Sequence, residues 1–379
     1  MNATRIGVIA RLELTQRIRS VAWFVLLAVF ALLLLGVTLL SFQAVSPSLD
    51  GDDTAGANVF SLIVYFVLLL VVLVSPTLSG NAINGDRDAA TLAPVQVTLA
   101  TTGDILVGKL LAAWVTGLAF LAVAVPFLVI ATAAGGVPLD VLLVSLLVLV
   151  VEVGVVAAVG VGLSGILARP LFSVAVTYLT VAALVLGTVI AFGLSASASR
   201  TEVESRSRVL EPVMSTPRPT VAPECMTADP GQTEPLPQCT GSGAVSEPQY
   251  ECGEWSTQRY ETTRTDHVWW MLAANPFVIL ADATPARFVN GEPRDVFGSV
   301  KVFVRQAQLS PEAAAEWDGC DVSASGVPNT SSEQRIEGTV PSWFVGLAVQ
   351  VLLAGLLMWR AAARTKTPAK RLPPGTRIA

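Results

Sequence analysis

Six long apolar runs constrain what this chain can fold into more than any other feature of its sequence. Each run is about as long as the roughly 20 residues that an α-helix needs to cross the hydrocarbon core of a bilayer. Five runs contain no charged residue, and the fourth contains only Glu152. Lipid leaves backbone polar groups no partner outside the segment, so the runs predict an all-α polytopic membrane protein with six transmembrane helices. The runs cover residues 21–42, 59–78, 110–134, 141–167, 171–195 and 340–359.

The overall composition agrees with a membrane protein. Hydrophobic residues make up 53% of the chain and charged residues 14%, against about 25% charged residues in a typical soluble domain. The first run is longer than the apolar part of a typical signal peptide, about 7–15 residues, so we expect an uncleaved helix there. The basic bias of residues 1–20 predicts a cytoplasmic N-terminal interfacial helix.

The distribution of basic residues predicts the orientation, because cytoplasmic loops carry an excess of Lys and Arg. Residues 196–339 hold 11 of the 24 Lys and Arg residues but 20 of the 29 Asp and Glu residues. With the N-terminus in the cytoplasm, the other 13 basic residues all fall inside. This pattern predicts cytoplasmic N and C termini, a cytoplasmic coupling loop at 79–109, a large extracytoplasmic segment of mixed and irregular structure at 196–339, and a basic cytoplasmic tail at 361–379.

The cysteines support the same orientation. Cys225, Cys239, Cys252 and Cys320 all lie in the segment 196–339. An even number of cysteines in an oxidising compartment predicts two disulfides, with three possible pairings. A zinc site is disfavoured, because the chain has no CxxC pair and only one histidine, His267. We therefore expect no metal site.

The extracytoplasmic segment divides by composition. Residues 200–250 are rich in Pro, Ser, Thr and Glu, which predicts an extended or loosely ordered stretch. Residues 268–284 are apolar but interrupted by Asn275–Pro276, so we expect an interfacial or re-entrant part rather than a span. The stretch "GSVKVFVRQ" alternates as a strand does, and "SPEAAAEW" predicts a short helix capped by Ser310.

The stretch "TTGDILVGKLL", residues 101–111, has the glycine and lysine spacing of a phosphate-binding loop at Gly103, Gly108 and Lys109. Such a loop also needs a Ser or Thr after the lysine to hold Mg²⁺, and it must follow a buried strand. Position 110 is Leu, and no strand pattern precedes the stretch. We therefore expect no ATP binding here, no catalytic residue and no cofactor.

The loop between the second and third runs resembles the type-2 exporter permeases of ATP-binding-cassette (ABC) transporters. Asp86 and Arg87 stand for the acidic–arginine pair of that family, Thr91 and Leu92 follow, and Ile-Leu-Val-Gly-Lys at 105–109 matches the element that opens the third helix. Ala90 replaces a glycine that the family carries. "NPFVILAD" resembles the re-entrant outer segment of such permeases. The resemblance covers residues 1–195 and 265–360.

This resemblance implies a mechanism and a set of partners. A short coupling helix near residues 86–100 would contact a dimer of cytoplasmic ATPases, through Asp86, Arg87, Asp88, Thr91 and Leu92. ATP-driven closure of the ATPases would rock two permease chains, identical or related, between inward-facing and outward-facing states. Gly108 would allow close helix packing, and Lys109 would lie at the level of the inner headgroups.

We therefore expect an exporter permease and not an enzyme. The small number of intramembrane charges suggests a hydrophobic or amphipathic substrate. An alternative from another class is a non-transporting receptor or assembly subunit whose outer segment binds a partner. The excess of Arg over Lys, 20 against 4, is typical of a GC-rich bacterial genome. We therefore expect a multi-pass protein of a bacterial cell membrane. Its expected partners include membrane lipids but no nucleic acid.

Glu152 is the one charged residue inside a span. A charge near the middle of a bilayer costs at least about 2.5–3.5 kcal/mol, so its side chain should face the protein interior or a watery cavity. Two interpretations stay open: a neutral carboxyl that bonds between helices, with Thr177, Tyr178 or Thr180 as partners, or a group that lines the translocation path.

Overall fold

The computed structural model confirms a polytopic all-α membrane protein. Within the part of the chain that it describes, six helices are long and apolar enough to cross a membrane. Thr91, Leu92, Cys225 and Cys239 lie outside that part, as do residues 312–315 of the stretch "SPEAAAEW" and the tail beyond Thr365. Glu316 and Trp317 at the end of that stretch belong to a strand, so the expected helix does not extend to them. The described residues are 2–44, 54–89, 101–213, 249–311, 316–320 and 331–365.

The helices of the first five spans follow the apolar runs but extend beyond them into polar sequence. The largest extension is at the third span, where polar residues that precede the apolar run already form helix. In chain order the helices are α1 Ala3–Ile18, α2 Val21–Ala44, α3 Thr54–Ser79, α4 Asn84–Asp88, α5 Thr102–Gly135, α6 Leu139–Ile166, α7 Pro170–Ala182 and α8 Thr188–Ala198.

A single π-helical turn, Ala183–Gly187, joins α7 to α8, so that the fifth span is one continuous rod with a local bulge. Such a turn leaves backbone carbonyl groups without their ordinary helical partners, and it occurs often at functional sites. The partner of one of these carbonyl groups is described with the buried polar site below.

In the described part of the segment between the fifth and sixth spans there are four short α-helices, and α13 forms the last span. The apolar run 268–284 is broken at Asn275–Pro276 into α9 and α10, because Pro276 starts a new helix for which Asn275 is the N-cap. The helices are α9 Trp270–Ala273, α10 Pro276–Ala283, α11 Val296–Gln306, α12 Ser332–Ile336 and α13 Trp343–Thr365.

The expectation of a strand at "GSVKVFVRQ" was wrong, since these residues form most of α11. The side chain of Asp295 accepts a hydrogen bond from the backbone N–H of Gly298 at 2.9 Å and so caps the first turn. Phe297, Lys301 and Val304, which recur at helical spacing, are all buried. The alternating valines are compatible with a strand or a helix, and the packing of this segment against α10 favours the helix.

The core of the bundle is built around α3. This helix packs against α2, α5 and α6, and it carries the fully buried Phe60, Ile63 and Leu68. The sixth span, α13, packs most extensively against α6, where Gly162 lets the two helices approach closely. A Cβ atom at Gly162 would lie 2.8 Å from the Cβ atom of Leu357, so small residues set the spacing of this pair.

The chain divides into two compact units, and the spans and α9–α13 belong to the first. The second unit comprises Thr201–Thr262 and Pro311–Asn329. Its described residues form a three-stranded sheet in the order β4-β1-β7 and a two-stranded sheet of β2 and β3; β5 and β6 form a short hairpin in the first unit. The strands are β1 Arg200–Arg208, β2 Leu210–Val213, β3 Gln249–Cys252, β4 Ser256–Thr263, β5 Phe288–Val289, β6 Glu292–Pro293 and β7 Glu316–Asp318.

A disulfide holds the second unit together. Cys252 and Cys320 are bonded, with their Cα atoms 5.8 Å apart, which supports the prediction that this segment carries disulfides. Beside it, Arg208 forms a bidentate pair with Asp318 and lies over the ring of Trp255 at 4.8 Å. In a small unit with little core, these links restrict the strands.

Candidate coupling site and a buried polar site

The stretch "TTGDILVGKLL" forms the start of α5. Thr101 caps the helix by accepting a hydrogen bond from the N–H of Asp104 at 3.2 Å, and the carboxylate of Asp104 accepts one from the N–H of Thr101 at 3.0 Å. Gly103, Gly108 and Lys109 therefore lie inside a helix. A phosphate-binding loop needs backbone N–H groups that wrap the anion, and the N–H groups of this stretch beyond the first turn are bonded within the helix instead.

Gly108 allows α1 to lie directly on α5. A Cβ atom at this position would come within 2.8 Å of the Cγ2 atom of Ile9 and 3.2 Å of the carbonyl oxygen of Ile6. The expectation that Gly108 allows close helix packing therefore fits this contact, and the partner helix is α1.

Lys109 is buried, with 3% of its side chain exposed. Its ammonium group lies 2.7 Å from Oδ2 of Asp86 and also contacts Oε1 of Glu13. Two carboxylates, one from α1 and one from α4, satisfy its charge inside the protein, a pairing that the sequence did not predict. A buried ammonium requires such partners, and we call Glu13, Lys109 and Asp86 the junction.

Both ends of α1 are fixed to the spans. The backbone N–H of Asn2 donates to the carboxylate of Asp104 at 3.0 Å. At the other end, the guanidinium of Arg17 donates to Oγ1 of Thr116 at 2.9 Å and to the carbonyl oxygen of Leu78 at 3.0 Å. Burial lowers the pKa of Arg17 below its ordinary value, and the nearby carboxylate of Glu13 opposes this effect.

The short helix α4 is clamped to the end of α6. Arg87 donates to the carbonyl oxygen of Leu167 at 3.1 Å and to Oδ1 of Asn84 at 2.8 Å. The hydroxyl oxygen of Ser164 accepts hydrogen bonds from the N–H groups of Ile83 and Asn84, at 2.9 Å and 3.1 Å. Of the three charged residues that were predicted to contact an ATPase, Asp86 and Arg87 thus bond within the protein, while Asp88 is exposed.

A cleft of about 340 Å³ opens beside the junction. Residues from α1, the first turns of α2, the last turn of α3 and the segment leading into α4 line it. The lining residues of α1 are charged, whereas those of α2 are apolar. The lining residues are Glu13, Arg17, Ser20, Ala22, Trp23, Leu26, Thr77, Leu78, Asn81, Ala82 and Asp86.

A second polar site lies within the bundle at Glu152, which is only 1% exposed. Glu152 lines a small cavity together with Gln350 of α13, Pro276 of α10 and valines of α3, α6 and α7. Neither carboxyl oxygen of Glu152 has a hydrogen-bond partner of ordinary geometry among the described residues, and neither has Oε1 of Gln350. Three buried oxygens without a hydrogen bond of ordinary geometry therefore lie at one place, and the side chain of Gln350 is close enough to interact with Glu152.

The hydroxyl groups that were expected to bond Glu152 are engaged elsewhere. Thr177 and Thr180 donate to the carbonyl oxygens of Ser173 and Val176 in their own helix, and Tyr178 donates to the carbonyl oxygen of Leu73. This part of the sequence-based expectation was wrong. The residue that faces Glu152 is Gln350, on the sixth span.

Asn275 and Gln350 connect this site to the segment before the sixth span. The amide of Asn275 donates to the carbonyl oxygen of Val185 at 2.8 Å, which belongs to the π-helical turn, and to Oγ1 of Thr188 at 3.0 Å. Gln350 donates to the carbonyl oxygen of Ala274 at 3.0 Å. The break between α9 and α10 is thereby held by the fifth and sixth spans together.

Sequence reasoning missed Gln350 and Asp282 and saw Asn275 only as part of the break at Asn275–Pro276, although each is a polar residue in an apolar run. Asp282 is the strongest case. Its carboxylate accepts from the N–H groups of Ser342 and Trp343 at 2.5 Å and 3.0 Å and from Nε of Arg305 at 2.7 Å. It therefore joins α10, α11 and the start of α13. An isolated polar residue in an apolar segment is the signal that would have found these positions.

These features define a polytopic helical membrane protein with a polar end assembled from α1, α4 and the start of α5, which we call the terminal end. The sequence model of the protein family described as "ABC-2 family transporter protein" matches residues 8–276 of the chain. The match covers more than half of the chain, and the chain therefore belongs to this family and is a membrane permease of an ABC transporter. A comparison with curated proteins found none that matches. Permeases of this family generally work with an ABC ATPase.

Proposed function

We propose that this chain is the permease subunit of an ABC exporter in a bacterial cell membrane. It moves a hydrophobic or amphipathic substrate out of the cytoplasm or the inner leaflet, and a separate ATPase dimer drives it. The terminal end faces the cytoplasm in this proposal, as the distribution of basic residues predicts. The permease itself performs no ATP hydrolysis.

The junction is the observation that carries this proposal. Glu13, Lys109 and Asp86 bind α1, α4 and α5 to one another, and Arg87 fixes α4 to the end of α6. A force applied to α4 is therefore transmitted at once to the ends of the second, third and fourth spans that lie next to α4. This is the mechanical property that a coupling element needs.

Asp88 is the best position at which to test contact with an ATPase, because its side chain is exposed. Arg87 is less suitable, since it also holds α4 in place and a reversal of its charge would loosen the helix. Asp88→Lys should reduce the permease-stimulated ATP hydrolysis of the assembled complex several-fold while leaving membrane insertion intact. Glu337→Lys, at an exposed carboxylate in the segment 196–339, is the matched control and should have no effect. Equal stimulation by wild type and Asp88→Lys would contradict the proposed contact.

A second permease chain, identical or related, is part of the same proposal. The fifth span supports it, because only 11% of its most apolar window is buried within the chain. Large apolar side chains recur along its exposed side at Leu171, Leu179, Leu186, Ile190 and Leu194. A second permease that packs here would bury part of this surface.

We further propose that Glu152 lines the translocation path. The support is its buried carboxyl group with unpaired oxygens, next to the π-helical turn and the break before α10. Glu152→Gln keeps the shape and removes the charge, so it should impair transport without lowering the protein level. Glu152→Leu is the comparison: normal transport by Glu152→Gln together with misassembly of Glu152→Leu would place the path elsewhere.

A further inference from the structure

The cleft beside the junction has the size and the two-sided lining of a binding site for an amphipathic molecule. Its volume of about 340 Å³ lies within the range of about 300–1,000 Å³ that is typical of small-molecule sites. The chain turns at Ser20 from α1 into the first span, so the cleft lies where the polar end of the bundle meets the apolar spans. A ligand here would have its polar group against α1 and its apolar part against α2.

The charges in the cleft favour a ligand that carries both signs. Arg17 uses its guanidinium for bonds to Thr116 and Leu78, but the group has five N–H donors, so others remain for a phosphate. Glu13 lies one helical turn away on the same face of α1. Its Oε1 atom contacts Lys109, and its side chain keeps 16% exposure at the cleft.

The formal charges of Glu13, Arg17, Asp86 and the adjacent Lys109 cancel. A strongly anionic or strongly cationic ligand would therefore leave uncompensated charge in a half-buried site. A zwitterionic group whose two charges are about one helical turn apart leaves none. The ammonium must also donate hydrogen bonds, because a half-buried carboxylate is satisfied by N–H donors and not by methyl groups.

The apolar side of the cleft suits an acyl chain. Trp23 and Leu26 lie one turn apart on α2 and line the cleft, and Trp23 is held in place by an edge-to-face contact with Phe120, with ring centroids 5.2 Å apart. Tryptophan at the membrane interface is typically found at headgroup level, with its ring in contact with the first acyl carbons.

We propose that this cleft binds one zwitterionic aminophospholipid, with its phosphate on Arg17, its ammonium on Glu13, and the upper part of an acyl chain along Trp23 and Leu26. This binding does not depend on the proposed transport function, since the lipid is bound whether or not it is carried across the membrane.

Native mass spectrometry of the full-length protein in detergent tests the proposal without an ATPase. The protein is titrated separately with phosphatidylethanolamine, phosphatidylcholine and phosphatidylglycerol of identical acyl chains. We expect one phosphatidylethanolamine to be retained with about tenfold preference over the other two lipids. Equal retention of phosphatidylcholine, or preferred retention of phosphatidylglycerol, would overturn the zwitterionic aminophospholipid assignment.

Two variants locate the lipid in the cleft. Arg17→Gln removes the guanidinium and its charge, on which the phosphate is placed, and Ser20→Trp fills the cleft without changing a charge. Both should lose the bound phosphatidylethanolamine, whereas Arg19→Gln, an exposed arginine two residues from Arg17, should retain it. Because Ser20 is exposed, Ser20→Trp should keep the thermal stability of the wild type even if Arg17→Gln unfolds. Retention of the lipid by folded Ser20→Trp at the wild-type level would show that the lipid binds elsewhere.

Discussion

At the scale of single residues, the charge of Lys109 is tied to those of two carboxylates. Its ammonium is buried, while Glu13 and Asp86 keep 16% and 34% of their side chains exposed. Removing the cation leaves two like charges close together in a partly desolvated place. Removing one carboxylate together with the cation should relieve part of this repulsion. The effects of substitutions at the three residues on stability should therefore not be additive.

We therefore expect Lys109→Met to destabilise the protein by about 1–3 kcal/mol, less than the cost of breaking a fully buried pair, because water reaches both carboxylates. The double variant Lys109→Met with Glu13→Gln should be less destabilised than the sum of the two single variants. Thermal unfolding in detergent of the wild type, both single variants and the double variant measures this coupling. Strict additivity of the two effects would mean that the contact contributes no interaction free energy.

Lys301 on α11 gives a pH-dependent prediction. It is 8% exposed and donates to the carbonyl oxygen of Thr284 at 2.7 Å, while Asp282, Asp295 and Arg305 act on its charge. Burial lowers the pKa of Lys301 from 10.5 to about 8. Between these values the unfolded chain binds more protons than the folded protein, so stability should increase as the pH rises from about 8 to about 10.5.

The difference in melting temperature between the wild type and Lys301→Met isolates this contribution, since other titrating groups are shared. The difference should shift in favour of the wild type across that pH window and stay constant below about pH 8. A difference that is flat from pH 7 to 10.5 would show that the pKa of Lys301 in the folded protein is close to its unfolded value.

At the scale of elements, the break between α9 and α10 depends on one side chain that has two roles. Oδ1 of Asn275 accepts from the N–H of Phe277 at 2.9 Å and caps α10, while the amide donates to the carbonyl oxygen of Val185 in the π-helical turn. The first bond is local and could be foreseen from the Asn-Pro pair. The second joins residues 90 positions apart and could not.

Substitutions at Asn275 can separate the two roles. Asn275→Ala loses the cap and both bonds of the amide, to Val185 and Thr188, and leaves a carbonyl oxygen of the π-helical turn without its donor, which should cost about 1–3 kcal/mol. Asn275→Ser keeps a capping oxygen but is too short to reach Val185, so its cost should be smaller by roughly the value of a cap, about 1 kcal/mol. Melting temperatures of the two variants provide the measurement. If Asn275→Ala and Asn275→Ser lower the melting temperature equally, the capping hydrogen bond contributes nothing to stability.

At the scale of the whole molecule, the orientation is the prediction on which the proposed function depends. Single cysteines introduced at Thr102 and Thr365 should be protected from a membrane-impermeant thiol reagent in intact cells. Thr102 lies at the terminal end, and Thr365 lies beside Gly165, near the end of α6 that Arg87 of α4 contacts. Cysteines introduced at Ser215 and Gly326 should react. Labelling of Thr102 from outside the cell would reverse the orientation and remove the basis for contact with a cytoplasmic ATPase.

The sequence by itself determined the number of spans, their approximate limits and the break at Asn275–Pro276, because hydrophobic length and proline act locally and need no knowledge of neighbours. It also pointed to Gly108 and Lys109, although the helix that contains them begins at Thr102, and to the isolated charge of Glu152. These are properties of composition and short-range spacing, which survive in any arrangement of the helices.

Only the tertiary structure decided which groups meet. Lys109 pairs with Glu13 across 96 positions of sequence, Glu152 faces Gln350 instead of the hydroxyl groups of the fifth span, and the alternating valines near residue 300 became a helix because α10 covers one side of it. An ionic or polar side chain pairs with whichever groups the packing of the helices brings within a few ångströms of it. That choice depends on which helices are neighbours, and hydrophobic patterns along one chain specify each helix without specifying its neighbours.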